Sequence, residues 1–326
     1  MRDPLIKKVA GTMNKYCLVK KNQKIFLSFS GGMDSTVLFH VLDSQKNSGG
    51  FSICLLHINH NIRKESSREE RWAAEFSAAM GAPLVIRRLK PDNRSSSCSL
   101  EEWAHHERYR LYESMLKQYP GSLIATAHHS GDNLETLLLS LFKGNIGHPF
   151  CGMSMKTGSI IRPLLHVSKE EICDFAKKFG LSYITDPSND DLSFERNFLR
   201  HAIIPGIEER FGGIHSRISQ ITSRYALQKD YIDSMICSFI DKHCTKSPGK
   251  ILMDLDSYKK LHTALKYEAI RRILFMIYRS NKIVSYRLVS EIFNYIDKKK
   301  GNVSMPGDAK CLVSGRYLAF LTGSET

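Results

Sequence analysis

A chain of 326 residues, 42% of them hydrophobic, is long enough for two domains with a core apiece. Its longest apolar runs fall well short of the roughly 20 residues that cross a bilayer, which excludes a membrane-spanning role. The formal charge of +14 points to a polyanionic partner, with scattered surface lysines as the bland alternative.

The N-terminal stretch MRDPLIKKVAGTMNKYCLVKK lacks the uninterrupted apolar run of a secretory signal. Eight cysteines (17, 54, 98, 151, 173, 237, 244 and 311) include no C-x-x-C pair. That argues against a zinc ribbon, a thioredoxin-like dithiol or an iron–sulfur site built on that spacing. Free thiols in a reducing cytoplasm are the expectation.

The first half alternates strand and helix. Predicted strands are KIFLSFS (24–30), FSICLLHINH (51–60), PLVIRRL (83–89), SLIATAHH (122–129) and SIIRPLL (159–165). Between them come helical patterns from Asp34 to about Leu42, over SSREERWAAEFSAAMG, and from Ser99, with Glu102 three residues on as a capping box. A fourth, DNLETLLLSLFKG, stops at Gly144. Strands alternating with helices predict an α/β fold with a doubly wound parallel sheet, in which ligands bind beyond the carboxyl ends of the strands. Unusual polar residues cluster at three such ends: Ser30 to Ser35, His57 to His60, and His128 to Asp132.

The texture changes after residue 186. The turn-rich DPSNDD precedes helical LSFERNFLRHAIIPGIEERF, and two further helical stretches follow. In the second of these, Leu261, Leu265, Ile270, Ile273, Leu274 and Ile277 form a core stripe, with Arg271, Arg272 and Arg279 on other faces. The tail GNVSMPGDAKCLVSGRYLAFLT reads as a short hairpin. The serine run at 93–99 reads as a loop. Domains are expected at 1–205 and 206–326, the second mainly helical with a short β tail. Residues 201–326 carry 20 basic against 12 acidic side chains, a surplus of 8 in the shorter part of the chain.

Within SGGMDS (30–35) the glycine turn is neither a Walker A loop nor G-x-G-x-x-G. It resembles the S-G-G-x-D-S loop of the ATP pyrophosphatases, which cleave ATP between its α and β phosphates. The residue types suit that task. Gly31 and Gly32 let backbone N–H groups approach phosphate, with Met33 between them and the helix, while Ser30, Ser35 and Thr36 add hydroxyls. Asp34 would repel phosphate, and so is expected to act through Mg²⁺.

The wider pattern resembles the tRNA(Ile)-lysidine synthases over most of residues 24 to 205. It is carried by SGGMDS, HINHNIR (57–63), EEWAHHERY (101–109), TAHHSGDNLET (126–136), RPLL (162–165) and DPSNDDLSFERNFLRHAIIP (186–205). The resemblance implies ATP-dependent ligation of free L-lysine to C2 of the wobble cytidine, position 34 of tRNA(Ile). An adenylated cytidine is the intermediate, and AMP and pyrophosphate are released. It also implies that His57 and Asn59, past the second strand, face the adenine. Asp132 and Glu135, three apart on one helix face, would hold the cationic lysine or a metal. Alternatively they are an ordinary acidic helix start. His128 or His129 would assist proton transfer, Arg108 would stabilise phosphate charge, and Arg196 and Arg200 would hold a phosphate or carboxylate.

Two departures from the family pattern stand out. His105 replaces a usual arginine, and longer members carry a further C-terminal domain, whose role is expected to be absent or supplied by residues 206–326. The competing readings are a tRNA thiolase, an NAD or GMP synthetase, and a non-enzymatic RNA-binding module. The first is disfavoured by the missing C-x-x-C, the second by the basic appendage and the third by the intact loop. A cytoplasmic location is expected; the number of subunits, a homodimer included, is left open.

Overall fold

In a computed structural model of the chain, the residues described are 3–59, 66–89, 100–143, 152–185, 191–278, 284–298 and 302–322. The described residues up to 140 and from 152 to 222 form one compact unit; 141–143 and those from 223 onward form a second.

The first unit opens with a helix the sequence reading did not announce, α1 (Pro4–Lys15). The Asp3 carboxylate accepts a hydrogen bond from the Leu5 N–H at 2.9 Å, and Pro4 sits in the first turn, where its missing N–H costs nothing. Then β1 (Lys24–Ser28), α2 (Met33–Asp43), short α3 (Lys46–Gly49), β2 (Ser52–Asn59), α4 (Ser66–Met80), β3 (Leu84–Arg88), α5 (Leu100–Gln118), β4 (Leu123–Ala125) and α6 (Ser130–Phe142) follow the expected alternation. A small hairpin, β5 (Lys156–Thr157) and β6 (Ile160–Ile161), leads to α7 (Lys169–Lys178), whose start is a capping box between Ser168 and Glu171.

The sheet order is β3-β2-β1-β4-β6-β5, parallel except for β5. From β1 the chain winds outward through β2 to β3, then returns to lay β4 on the other flank of β1. That reversal opens a crevice beyond the carboxyl ends of β1 and β4, where open α/β sheets bind ligands. Both faces are covered. Ile25, Leu27 and Leu55 pack with Val9, Val37, Leu38 and Ile172, while Phe26, Cys54 and Leu56 pack with Tyr112 and Met115. The period-2 alternation thus buries every side of β1, so KIFLS reads as a nearly continuous apolar run.

Two strands stop short of their apolar runs. The expected 122–129 gives only Leu123–Ala125, and 159–165 only Ile160–Ile161. Past them the backbone keeps single bonds, Thr126 N–H to the Ile161 carbonyl at 3.0 Å and Ser130 N–H to that of Val167 at 2.9 Å. Thr126, Ala127 and His128 are released into the crevice. The expected capping residue Ser99, the serine run, His60 and most of DPSNDD lie outside the described residues.

The expected helix over LSFERNFLRHAIIPGIEERF is broken into α8 (Glu195–Phe198), a π-helical turn at Leu199–Ile203, and α9 (Ile204–Phe211). Pro205 is the reason: with no N–H to donate one turn back, it can only begin a helix, and the preceding turn widens. Next, α10 (Ile214–His243) runs for 30 residues.

The second unit holds β7 (Cys244–Ser247), β8 (Lys250–Asp254), α11 (Leu255–Lys259), α12 (Thr263–Tyr278), α13 (Tyr286–Lys298), β9 (Val303–Met305), β10 (Ala309–Ser314) and β11 (Tyr317–Leu321). Its strands form an antiparallel sheet in the order β7-β8-β11-β10-β9. The expected tail hairpin is β10–β11; the β7–β8 pair enlarges it into a sheet. The sequence hid that pair because β7 is largely exposed and carries no apolar alternation. Ile270, Ile273 and Leu274 of the expected stripe are buried in this unit's core, with Leu261, Leu265 and Ile277 partly buried against it. Arg279 lies outside the described residues. Among the described residues no helix is long and apolar enough to cross a membrane, and Cys17, Cys54, Cys173, Cys237, Cys244 and Cys311 are free thiols.

Candidate functional site

The glycine loop is held in a single shape. Gly31 has φ +85°, the left-handed region, and its carbonyl accepts from the Ile184 N–H at 2.9 Å. A Cβ there would stand 3.1 Å from the Trp72 ring and 3.3 Å from Ile184, so the position is closed by packing as well as by backbone. Gly32 caps α2. The Ser35 hydroxyl donates to the Gly32 carbonyl at 2.9 Å, and the Ser30 and Ser35 hydroxyls lie 3.1 Å apart. The first turn of α2 therefore presents the N–H groups of Met33, Asp34 and Ser35, which have no intrahelical acceptor, amid hydroxyls. Asp34 pairs with Lys169 of α7 at 2.5 Å.

A cavity of about 410 Å³ opens at the topological reversal. The loop contributes Ser30, Gly32, Asp34 and Ser35; the segment past β4 contributes Thr126, Ala127 and His128. Three arginines share its wall: Arg108 from α5, Arg162 after β6 and Arg196 from α8. So does His105, the family departure, whose ring lies 4.7 Å from that of Tyr109.

The two histidines after β4 separate cleanly. His128 lines the cavity with its Nδ1 2.9 Å from the Thr126 hydroxyl. Burial pushes its pKa down to about 4; Arg162, Arg196 and Arg108 push the same way, and Asp132 works against them. It is a neutral imidazole at physiological pH. His129 is buried and serves the backbone, its Nδ1 accepting from the Gly131 N–H at 3.0 Å.

Asp132 also lines the cavity, one oxygen accepting from the His129 N–H at 2.9 Å. Burial opposes its ionisation, but His129, His128 and Arg200 outweigh burial and hold the carboxyl below its ordinary range. Glu135 does not line the cavity. It is 2% exposed and gripped two-fold by Arg200, Nε to Oε1 at 2.7 Å and Nη2 to Oε2 at 3.1 Å. The same Nη2 reaches Asp132 at 3.5 Å. Arg196 and Arg200 thus part company: the first faces the cavity, the second is bound to carboxylates behind it.

His57 and Asn59 do not line the cavity; Ile58 between them does. Strand alternation decides this, since 57 and 59 share one face of β2 and 58 takes the other. His57 Nδ1 meets the Phe29 carbonyl at 3.0 Å, and burial lowers its pKa. The Asn59 amide donates to Glu70 at 2.8 Å. Arg88 binds Glu70 as well, and with Asn59 brings its pKa to about 2.

Three residues escaped the sequence reading. Arg162 was visible only as part of RPLL. Lys169 sits 135 positions from Asp34, its partner. Tyr112 donates to the Ser28 hydroxyl at 2.6 Å across the floor of the cavity. Only the helical spacing of Arg108 and Tyr112, four apart, placed the tyrosine on the right face.

Asp34 and Asp132 are the carboxylates on the cavity wall, and among the described residues no group of three or more His, Cys, Asp or Glu could hold a metal. Mg²⁺ is usually bound through one or two carboxylates plus phosphate oxygens and water. The site therefore fits a magnesium–phosphate complex and not an isolated ion.

Residues 2–207 match the family described as the PP-loop domain. The chain is 29% identical to the tRNA(Ile)-lysidine synthase of Caldanaerobacter subterraneus subsp. tengcongensis, over 94% of this chain and 67% of that protein. It is 31% identical to the tRNA(Ile)-lysidine synthase of Persephonella marina, over 92% of this chain and 65% of that protein. The chain thus spans about two thirds of the length of these curated relatives. Among solved structures it resembles the U34-tRNA thiolase NcsA from Methanococcus maripaludis, with its [4Fe-4S] cluster. The TM-score is 0.59 at 18% identity, covering 68% of this chain and 77% of that one, a likeness of fold alone.

Proposed function

The chain belongs to the PP-loop domain family, and on that premise we propose that it ligates L-lysine to the wobble cytidine of tRNA(Ile) at the expense of ATP. The observation that carries this reading is the cavity at the reversal, where a phosphate-type loop, three arginines, a carboxylate and an uncharged histidine converge. The names of the curated relatives support the same substrates.

Ser30, Gly31, Gly32, Met33 and Ser35 cradle the β and γ phosphates by N–H and hydroxyl donation. Magnesium carried by Asp34 and phosphate oxygens would neutralise the departing pyrophosphate. O2 of the cytidine attacks the α-phosphorus, and the bond to the β-phosphate's bridging oxygen breaks. Arg108 and Arg196 stabilise the charge that develops there. The ε-amine of lysine then attacks C2, and the C2–O2 bond breaks to release AMP. Asp132 holds the lysine, with Glu135 fixing it through Arg200. In the tautomer whose Nδ1–H donates to Thr126, His128 keeps the Nε2 lone pair that takes the amine's proton.

Residues 1–205 form the catalytic domain in this reading, and 206–326 a basic module that grips the tRNA backbone. Its surplus of 8 positive charges makes tRNA affinity fall steeply with added salt. The test is incubation of the chain with tRNA(Ile), ATP, Mg²⁺ and lysine, followed by nucleoside mass spectrometry and product analysis. Lysidine with AMP and pyrophosphate is expected; ADP with orthophosphate would overturn the assignment.

A further inference from the structure

Arginine offers one edge, Nε–H beside an Nη2–H, that matches the two oxygens of a planar or tetrahedral oxyanion. This chain uses that edge on its own carboxylates. Arg200 grips Glu135 with Nε and Nη2, and Arg88 grips Glu70 with the same two atoms, at 3.0 and 2.5 Å.

Arg162 has the same edge and, among the described residues, no carboxylate on it. Its far corner is anchored: Nη1 donates to the Ser154 carbonyl at 2.8 Å and to the Thr157 hydroxyl at 3.2 Å. Of the fork itself, among the described residues Nη2 has only the Tyr109 hydroxyl at 3.5 Å, and Nε is buried with no partner. The residue is 6% exposed and lines the cavity. Among the described residues no acidic side chain stands within ion-pairing distance of it. A buried guanidinium left in that state is costly, since buried charges are ordinarily paired and hydrogen-bonded. Satisfying the backbone of the β5–β6 hairpin does not require a charge, whereas a bidentate anion does.

We propose that Arg162 is an oxyanion fork for a ligand in the cavity, separate from the glycine loop and held from behind by the β5–β6 hairpin. The chemistry it reads is a two-oxygen anion. Two sources supply one: the α-carboxylate of the amino acid, which rests on the function proposed above, and a phosphate of the nucleotide, which needs only the family's loop.

Binding to the full chain is measured by calorimetry for two pairs of probes: a non-hydrolysable ATP analogue against adenosine, and L-lysine against 1,5-diaminopentane, which lacks the carboxylate. Arg162→Lys keeps the charge and a donor for Ser154 but has no fork. It is expected to shrink one ratio by roughly 10- to 150-fold, the worth of a charge-assisted hydrogen bond. A smaller lysine ratio assigns the carboxylate; a smaller nucleotide ratio assigns phosphate. Thr157→Val, at an exposed position of β5, removes one anchor and should shift the same ratio several-fold in a chain whose folding is not at risk. Both ratios unchanged in both variants would overturn the fork. The nucleotide pair does not depend on lysine being the substrate, so a wrong amine leaves that half of the test standing.

Discussion

The end of β1 and the end of β2 look alike in sequence. Each is an apolar strand that runs into a short polar cluster, and both sit at the carboxyl edge of the same sheet. The structure separates them. Ser30, Gly32, Asp34 and Ser35 line the cavity, whereas His57 and Asn59 turn to the Phe29 carbonyl and to Glu70. The edge of a parallel sheet is thus a necessary address and not a sufficient one. What selects the β1 end is its neighbour β4 across the topological reversal; the β2 end has helix-bearing β3 beside it instead.

The sharpest test of this contrast lies on the β4 side. His128→Gln should lower turnover by about 10²- to 10⁴-fold, the range for a general base, while His129→Gln should act mainly through stability. Protonation gives a second signature. The His128 imidazole loses its proton-accepting form only below its depressed pKa of about 4, against an ordinary 6.5. The acid limb of the rate profile due to this group is therefore expected near pH 4. A limb centred at 6.5 that vanishes in the variant would show that burial does not control it. The same shift subtracts stability as pH falls from 6.5 toward 4, because the unfolded chain takes up the proton first.

On the β1 side, Asp34→Ala is expected to cost on the order of 10²–10³ in turnover, comparable to removing one electrostatic stabiliser of a transition state. Thermal stability should hardly move. The partner Lys169 is 42% exposed, and exposed ion pairs contribute about 0–1 kcal/mol. A large fall in melting temperature with intact turnover would reverse the roles of the two strand ends.

How much of this was legible beforehand follows the range of the interactions. The strand–glycine–helix corner is local, so SGGMDS announced it, and Gly31 is required there by its own φ. The alternation of strands and helices is local as well. The pairing of Lys169 with Asp34 and the grip of Arg200 on Glu135 join residues 135 and 65 positions apart, and nothing nearby in the chain encodes them. Side-chain direction was readable in principle. Period 2 along HIN already places His57 and Asn59 opposite Ile58, but which face meets the cavity depends on where β4 returns. Arg162 was hidden for a third reason: its significance lies in the carboxylate partner it lacks among the described residues.

The smallest effect is expected at the β2 end, and it concerns stability and pH, not chemistry. Arg88 and Asn59 hold the Glu70 carboxyl at about 2, below its ordinary 4.5. A carboxyl lowered by folding contributes stability above its unfolded pKa and loses it as pH falls toward the folded one. Thermal stability should therefore decline progressively as pH drops from 4.5 toward 2, and Glu70→Gln should flatten that slope. Asn59→Ala removes one hydrogen bond to the same ionised carboxylate, worth about 1.5–3 kcal/mol, and should change turnover by less than a factor of about 3. Melting curves across this pH range, set beside rates at neutral pH, decide the matter. If Asn59→Ala instead weakened binding of an ATP analogue roughly tenfold with its melting curve unchanged, β2 would rejoin β1 as part of the nucleotide site.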